Sequence, residues 1–268
     1  MSENQEYLVP FPDKRRRNLR ADCETCFGLC CVALYFSASE GFPIDKEAGQ
    51  PCLNLQSDFR CSVHKSLKER GLKGCLAFDC FGAGQKVSQV SFGSRDWRKL
   101  PESAQQMFEV FLIMRQIHEL LWYLTEALTI QPARTIHDAL SAMLIEKECL
   151  THHSPDYLLK LDVAEHRADV NTLLLKTSEL VRAEARRGQK AYSGRQKTFA
   201  RGACLIAADL RGADLNGTDF IGADFRAADL RGADLSKSIF LTQAQLNVAK
   251  GDTNTKLPSS LTPPMHWD

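Results

Sequence analysis

The sequence predicts an α+β protein made of three different parts, and three observations indicate this. Eight of the ten cysteines of the 268-residue chain fall between Cys23 and Cys80. Apolar residues recur at helical spacing from Trp97 to about Arg187. From Ala203 onwards, a large apolar residue recurs at every fifth position. We therefore expect a cysteine-rich module, a helical region and a short stacked coil, in that order.

Composition and charge are those of an ordinary soluble globular protein. The chain carries 34 Lys+Arg and 33 Asp+Glu, a formal net charge of +1. Nucleic acid is therefore an unfavoured partner, because its binding needs a basic excess. No run of about 18 apolar residues is present to span a membrane, and no apolar stretch follows the basic cluster of residues 1–19 as in a secretion signal. We expect a cytoplasmic protein with a basic N-terminal arm over residues 1–19 and no membrane partner.

Residues 20–95 predict a loop-rich metal-binding module with few apolar residues to bury. In a reducing compartment, densely spaced thiols indicate metal ligation or redox chemistry. A C-x2-C turn is a common zinc half-site, and related spacings bind iron-sulfur clusters. The candidate metal ligands are Cys23, Cys26, Cys30, Cys31, Cys52, Cys61, Cys75 and Cys80. Eight thiols exceed the four ligands of one zinc ion, and the adjacent Cys30 and Cys31 side chains are expected to diverge. Two interpretations therefore stay open: two metal sites, or one metal site and a packed thiol.

The cysteine pattern resembles the CxxCxxCC family of proposed zinc- or iron-chelating domains. In that family a clustered CxxC and CC pair precedes C…C and C-x4-C segments, and the resemblance covers Cys23 to Cys80. It implies that the eight cysteines are metal ligands. The all-sulfur donor set and the family's name favour an iron-sulfur cluster over Zn2+, which stays open as the alternative. His64 lies three residues after Cys61, and its role as a ligand is also open.

Residues 96–189 predict three or four packed helices. Proline is favoured in the first turn of a helix, so Pro101 and Pro132 each open a helix and Pro155 opens a third, which is expected to be broken once. The polar residues 190–202 then predict a linker or cap. The two cysteines outside the cluster stand in apolar patterns and are expected to be small buried side chains. These are Cys149 and Cys204.

Residues 203–242 read in fives as ACLIA, ADLRG, ADLNG, TDFIG, ADFRA, ADLRG, ADLSK and SIFLT. A strict period of five fits neither a helix nor an ordinary strand. It fits a coil that turns a corner every five residues. If four units close one square coil, each residue lies about 4.8 Å from the one twenty positions later. The central apolar residues would then point inward: Leu205, Leu210, Leu215, Phe220, Phe225, Leu230, Leu235 and Phe240.

These units resemble the pentapeptide-repeat family, whose unit is A(D/N)LXX and whose fold is a right-handed quadrilateral β-helix. The resemblance implies that fold for residues 203–242, but no single function. Two coils form a stack only about 10 Å tall, so its ends need covers. The tail over residues 243–268 is expected to supply one of them with its apolar side chains. The outward-facing residues are expected to be the stacked pairs Asp209 with Asp229 and Asp214 with Asp234.

Three functions compete, because no catalytic motif is found and enzymatic activity is left open. The first is a metal-binding interaction protein whose repeat face docks an unknown protein partner. The second is an iron-sulfur metalloenzyme or redox sensor. The third is a topoisomerase-interacting DNA mimic, which requires a long acidic rod. The repeats of this chain are short, and Arg211, Arg226 and Arg231 interrupt their acidic residues.

Overall fold

The computed structural model describes residues 16–188 and 201–267. Most of the predicted basic arm (1–19) and of the predicted linker (190–202) therefore lies outside the described residues. Within the described ranges, buried side chains from the cysteine-rich module, the helical region and the repeats belong to one hydrophobic core. The three parts consequently pack on one another.

The cysteine-rich module consists of loops and short helical turns. Its α-helical turns are α1 (Leu29–Val32), α2 (Lys73–Ala77) and α3 (Ala83–Gln85), and a π-helical turn (Lys86–Ser91) follows α3 directly. Its 3-10 turns are Ala38–Glu40 and His64–Ser66. Two isolated antiparallel bridges join Phe36 to Lys46 and Leu55 to Cys61. The module has so little regular structure that its loops depend on side-chain contacts for their shape.

Pro101 and Pro155 each begin an α-helix as predicted, whereas Pro132 lies in a 3-10 turn and the α-helix that follows begins at His137. The elements of the helical region are α4 (Pro101–Ala127), a 3-10 turn (Gln131–Ile136), α5 (His137–Leu150), α6 (Pro155–Leu158) and α7 (Val163–Gly188). Ser154 caps α6 by accepting a hydrogen bond from the Tyr157 N–H at 3.3 Å. The predicted break in the third helix is confirmed as the gap between α6 and α7. No helix of the described ranges is long and apolar enough to cross a membrane.

Two side chains of the helical region differ from the sequence pattern. Leu175 continues the apolar stripe of the third helix but is 45% exposed. Lys147 lies off the stripe of α5 and is nevertheless fully buried. Its ammonium group donates to Glu146 Oε1 at 2.6 Å and contacts His166 Nδ1 at 2.9 Å. Burial is tolerated because these partners replace the water that the charge loses.

The predicted C-terminal β-helix is wrong, and with it the α+β class. The described residues form no strand and no sheet. From Cys204 to Ile239 the chain makes only isolated parallel bridges, four of which join a residue to the one twenty positions later. The reason is that two residues of each unit form a turn, and only one bridged residue lies between that turn and the next. A strand needs several consecutive extended residues, so the region is a stack of turns on a helical protein.

The inward positions of the repeat are as predicted. All eight central residues are buried, and none is more than 4% exposed. Aspartate at the second position holds the turn, as when Asp214 Oδ1 accepts the Asn216 N–H at 3.1 Å. The fifth residue of the first six units has a left-handed backbone. These residues are Ala207, Gly212, Gly217, Gly222, Ala227 and Gly232.

The tail packs against the second coil, as its apolar side chains suggest. Helix α8 (Gln243–Asn247) begins at a capping box in which Thr242 and Gln245 bond to each other's backbone. Leu246 and Leu261 are buried. The tail also reaches the cysteine-rich module, because the Arg20 guanidinium donates to the Ser260 carbonyl at 3.2 Å.

Candidate metal centre

The cluster lies on loops and on the short helix α1, and its eight thiols are unpaired. Cys23 is exposed and Cys52 is buried, while the other six are half-buried. Cys30 interacts electrostatically with each of the other seven. The loops therefore bring all eight predicted ligands into one neighbourhood around Cys30.

The adjacent thiols of Cys30 and Cys31 converge, so the expectation that they diverge is wrong. Their sulfur atoms lie 4.0 Å apart. Two thiolates on one tetrahedral zinc ion would be about 3.8 Å apart, given a Zn–S bond of about 2.3 Å. The two side chains can therefore serve the same site.

The Cys31 thiol is hydrogen-bonded to both Cys30 and Cys61. A hydrogen bond with Cys31 lowers the pKa of Cys30, and the same interaction lowers the pKa of Cys61 to about 6. Hydrogen bonds to Cys30 and Cys61 correspondingly raise the pKa of Cys31. Burial raises the pKa of Cys75 to about 12. Negative charge in the cluster is therefore favoured first at Cys30 and Cys61.

Backbone N–H groups hydrogen bond to several of the sulfur atoms. Burial raises the pKa of Cys26 to about 11, but the N–H groups of Leu29 and Gly28 bond to its sulfur and favour the thiolate. The same arrangement occurs with Asn54 at Cys52, Val63 and His64 at Cys61, and Gly82 and Gly84 at Cys80. Donors of this kind orient metal-bound thiolates and tune their charge.

Lys46 adds a positive charge that sequence reasoning missed. Its ammonium group donates to the Val32 carbonyl at 3.3 Å and lies 4.4 Å from the centroid of the Phe36 ring. It interacts electrostatically with Cys52, Cys31 and Cys30. Nothing local marks this residue, because Asp45 and Glu47 flank it as they would flank an exposed lysine.

Helix α3 approaches the cluster closely. A Cβ atom at Gly84 would stand 2.7 Å from Cys26 Sγ, closer than a real contact allows. Gly82 caps this helix with φ 78, a left-handed conformation that suits glycine. Both glycines therefore shape the wall of the cluster.

The donors match a soft metal in their chemistry. Thiolates suit zinc and iron-sulfur clusters, and the N–H groups supply hydrogen bonds around them. In residues 16–188 and 201–267, no group of three or more His, Cys, Asp or Glu is arranged to hold an ion. The sulfur atoms thus gather around Cys30 without converging on one coordination point.

The two cysteines outside the cluster are exposed, and the expectation that they are buried is wrong. Cys149 lies on the solvent side of α5. Cys204 occupies the bridged second position of the first repeat unit, where the next six units have aspartate. That position points outward, which explains its exposure.

The stack of turns defines a pentapeptide-repeat protein, and comparison with known families agrees. Residues 203–240 match the family of pentapeptide repeats, in eight copies. The chain is 56% identical to "Uncharacterized protein YybG" of Bacillus subtilis (strain 168), over 97% of this chain and 98% of that protein. The chain therefore belongs to the same family as YybG. No solved structure shows significant similarity to it.

Proposed function

We propose that the cysteine-rich module holds a thiolate-ligated metal centre and that the repeats offer a docking surface for a partner protein. The observation that supports this proposal best is that the other seven thiols of the cluster surround Cys30, with backbone N–H donors at five of the eight. Several half-buried thiolates repel one another and need positive charge nearby. Lys46 supplies one such charge, and a metal would supply the rest.

The residues that would hold the metal are Cys30 and the seven cysteines around it. Their all-sulfur character favours an iron-sulfur cluster, with zinc as the second candidate. When bound, an iron-sulfur cluster would supply one-electron transfer, whereas zinc would serve as a structural cross-link. The backbone N–H groups and Lys46 would hold the sulfur atoms in their charged form in either case.

The docking role is supported by the outer face of the repeats. Arginine and aspartate alternate there, as in the pairs Arg211 with Asp209 at 2.7 Å and Arg231 with Asp229 at 2.6 Å. Such a face offers charges of both signs on a rigid frame. A protein surface with complementary charges of both signs would fit it.

A redox-sensing role is the second candidate, and the exposure of Cys23 favours it. A solvent-facing ligand position is one that an oxidant or a second ligand can reach. Reversible bleaching of a visible absorption band by dithionite and air would support this role. A colourless zinc protein would contradict it.

The test is anaerobic purification of the full chain followed by iron, zinc and acid-labile sulfide analysis and an absorption spectrum. We expect stoichiometric metal in the wild type and in the matched control Cys149→Ser, whose thiol is exposed and outside the cluster. Cys30→Ser should lose most of the metal. Metal-free wild-type protein with all thiols titratable would overturn the proposal, as would Cys30→Ser protein with full metal content.

A further inference from the structure

A cavity of about 480 Å³ lies between the cysteine-rich module and the helical region. Its walls come from the segment 17–25, the turn at 82–90, and helices α4 and α5 with the residues that follow α5. The volume falls within the range of about 300 to 1,000 Å³ that is usual for small-molecule sites. None of the eight cluster cysteines lines it.

The deep wall has an unpartnered hydroxyl group. Thr125 lines the cavity from α4, is 3% exposed, and its Oγ1 makes no hydrogen bond with any described residue. Native proteins seldom leave a buried polar atom unpaired. A polar ligand atom in the cavity would therefore give this hydroxyl the hydrogen-bond partner that it lacks.

His118, two turns earlier on the same face of α4, supplies a second polar atom. Its Nδ1 lies 2.8 Å from the Phe81 carbonyl oxygen. A carbonyl only accepts hydrogen bonds, so Nδ1 carries the proton and Nε2 of the neutral ring is the acceptor. Burial lowers the pKa of His118 to about 4, which keeps the ring neutral. A ligand therefore needs an N–H or O–H donor at this end.

The cavity lining also carries charged side chains of both signs. Arg17 lines it, and its guanidinium group makes no hydrogen bond or ion pair with any described residue. The Lys86 ammonium group lies 3.3 Å from His152 Nε2 and interacts with Glu148. The carboxylate of Asp22 is already engaged, because it accepts hydrogen bonds from the Glu24 N–H and the Thr25 hydroxyl. Glu148 also lines the cavity, so its charges balance, and Arg17 is the charged group that an anion would meet without displacing a partner among the described residues.

We propose that this cavity binds a small organic anion that also carries a hydroxyl or ammonium donor. The anionic group lies against Arg17 and Lys86, and the donor reaches His118 Nε2 and the Thr125 hydroxyl. The anion is either a carboxylate or a phosphate. The site is independent of the proposed metal centre, because it uses none of the cysteines.

The test is isothermal titration calorimetry of the full-length protein with four probes that separate the two requirements. Serine and glycerol 3-phosphate carry both an anion and a donor, propionate lacks the donor, and glycerol lacks the anion. We expect serine, glycerol 3-phosphate or both to bind, which distinguishes carboxylate from phosphate, and the other two probes to bind at least about tenfold more weakly. Binding by none of the four probes, or equal binding by all, would overturn the proposal.

Variants locate the site on the molecule. Thr125→Val retains the shape of the side chain but removes its hydroxyl, and Arg17→Gln removes an exposed charge, so neither should unfold the protein. Each should weaken binding of the active probe about tenfold. The matched control is Thr172→Val on α7, an exposed residue whose hydroxyl bonds to the Ala168 carbonyl. Unchanged affinity in both cavity variants would place the probe elsewhere and refute the site.

Discussion

The carboxylate of Glu126, at the end of helix α4, accepts a hydrogen bond from the backbone N–H of Phe240 at 2.7 Å. The ring of Tyr123, one turn earlier on α4, packs edge-on against the Phe240 ring, with 5.9 Å between the two ring centroids. Phe240 itself has φ 61, a left-handed conformation that is rare for an aromatic residue. The last repeat unit is therefore attached to the central helix through both its backbone and its ring.

Stability should fall as the pH rises from about 5 to 8, because burial raises the pKa of Glu126 from 4.5 to about 7. Between these two values the folded state retains a proton that the unfolded state releases, so ionisation favours unfolding. The full loss is about 3 kcal/mol. Glu126→Gln keeps an acceptor for the Phe240 N–H without a charge. Urea unfolding at both pH values should show a smaller decline in the variant, and an unchanged decline would contradict this assignment.

Ala227→Gly should stabilise the protein. Ala227 occupies the left-handed fifth position of its unit with φ 59, where four of the first six units have glycine. Removing the Cβ atom relieves a cost of about 1 kcal/mol, partly offset by the entropy of glycine in the unfolded chain. The matched control is Ala228→Gly, at a fully buried neighbour without positive φ, which should destabilise. A lower melting temperature for Ala227→Gly would contradict the turn geometry.

Leu215→Lys and Asp214→Lys test the two faces of the repeat. Leu215 is 2% exposed, and an unpaired charge there should cost roughly 4 kcal/mol or more and abolish soluble protein. Asp214 faces solvent and would lose the hydrogen bond to the Asn216 N–H, at a cost of about 1 kcal/mol. Soluble yield and melting temperature measure both effects. Equal damage from the two substitutions would mean that the inward and outward positions are misassigned.

Gly84→Ala should lower the metal content if the cluster binds metal. The new Cβ atom would stand 2.7 Å from Cys26 Sγ and displace that sulfur. Gly93→Ala is the control: its φ of 59 strains alanine, but no atom lies within 4 Å. We expect normal metal content in this control despite a small loss of stability. Equal metal in both variants would exclude Cys26 from the ligand set.

The protein should not inhibit DNA gyrase supercoiling at stoichiometric concentration. Duplex DNA carries a charge about every 1.7 Å, whereas here Arg226 neutralises Asp224 at 2.6 Å and Lys256 neutralises Asp234 at 3.1 Å. The remaining field is short-ranged in physiological salt. Clear inhibition in a supercoiling assay would restore the DNA-mimic hypothesis.

Local sequence patterns predicted the parts of the molecule that depend on neighbours along the chain. Pro101 begins α4, and the five-residue register identifies the inward side chains of the repeat. The absence of strands was missed because residue spacing does not show how many bridged residues remain between turns. Lys46 and Thr125 were missed because their environments come from distant segments. Neither a lysine that contacts backbone carbonyls nor a threonine hydroxyl that faces a cavity has a recognisable pattern in the sequence.

The bond between Arg20 and Ser260 joins residues 240 positions apart, and a second contact of this kind joins Lys68 to the His266 carbonyl at 3.4 Å. During synthesis, the cysteine-rich module leaves the ribosome long before the tail that it contacts. Contacts so distant in sequence form late. The cysteine-rich module therefore gains its contacts with Ser260 and His266 only after the helical region and the repeats have been made.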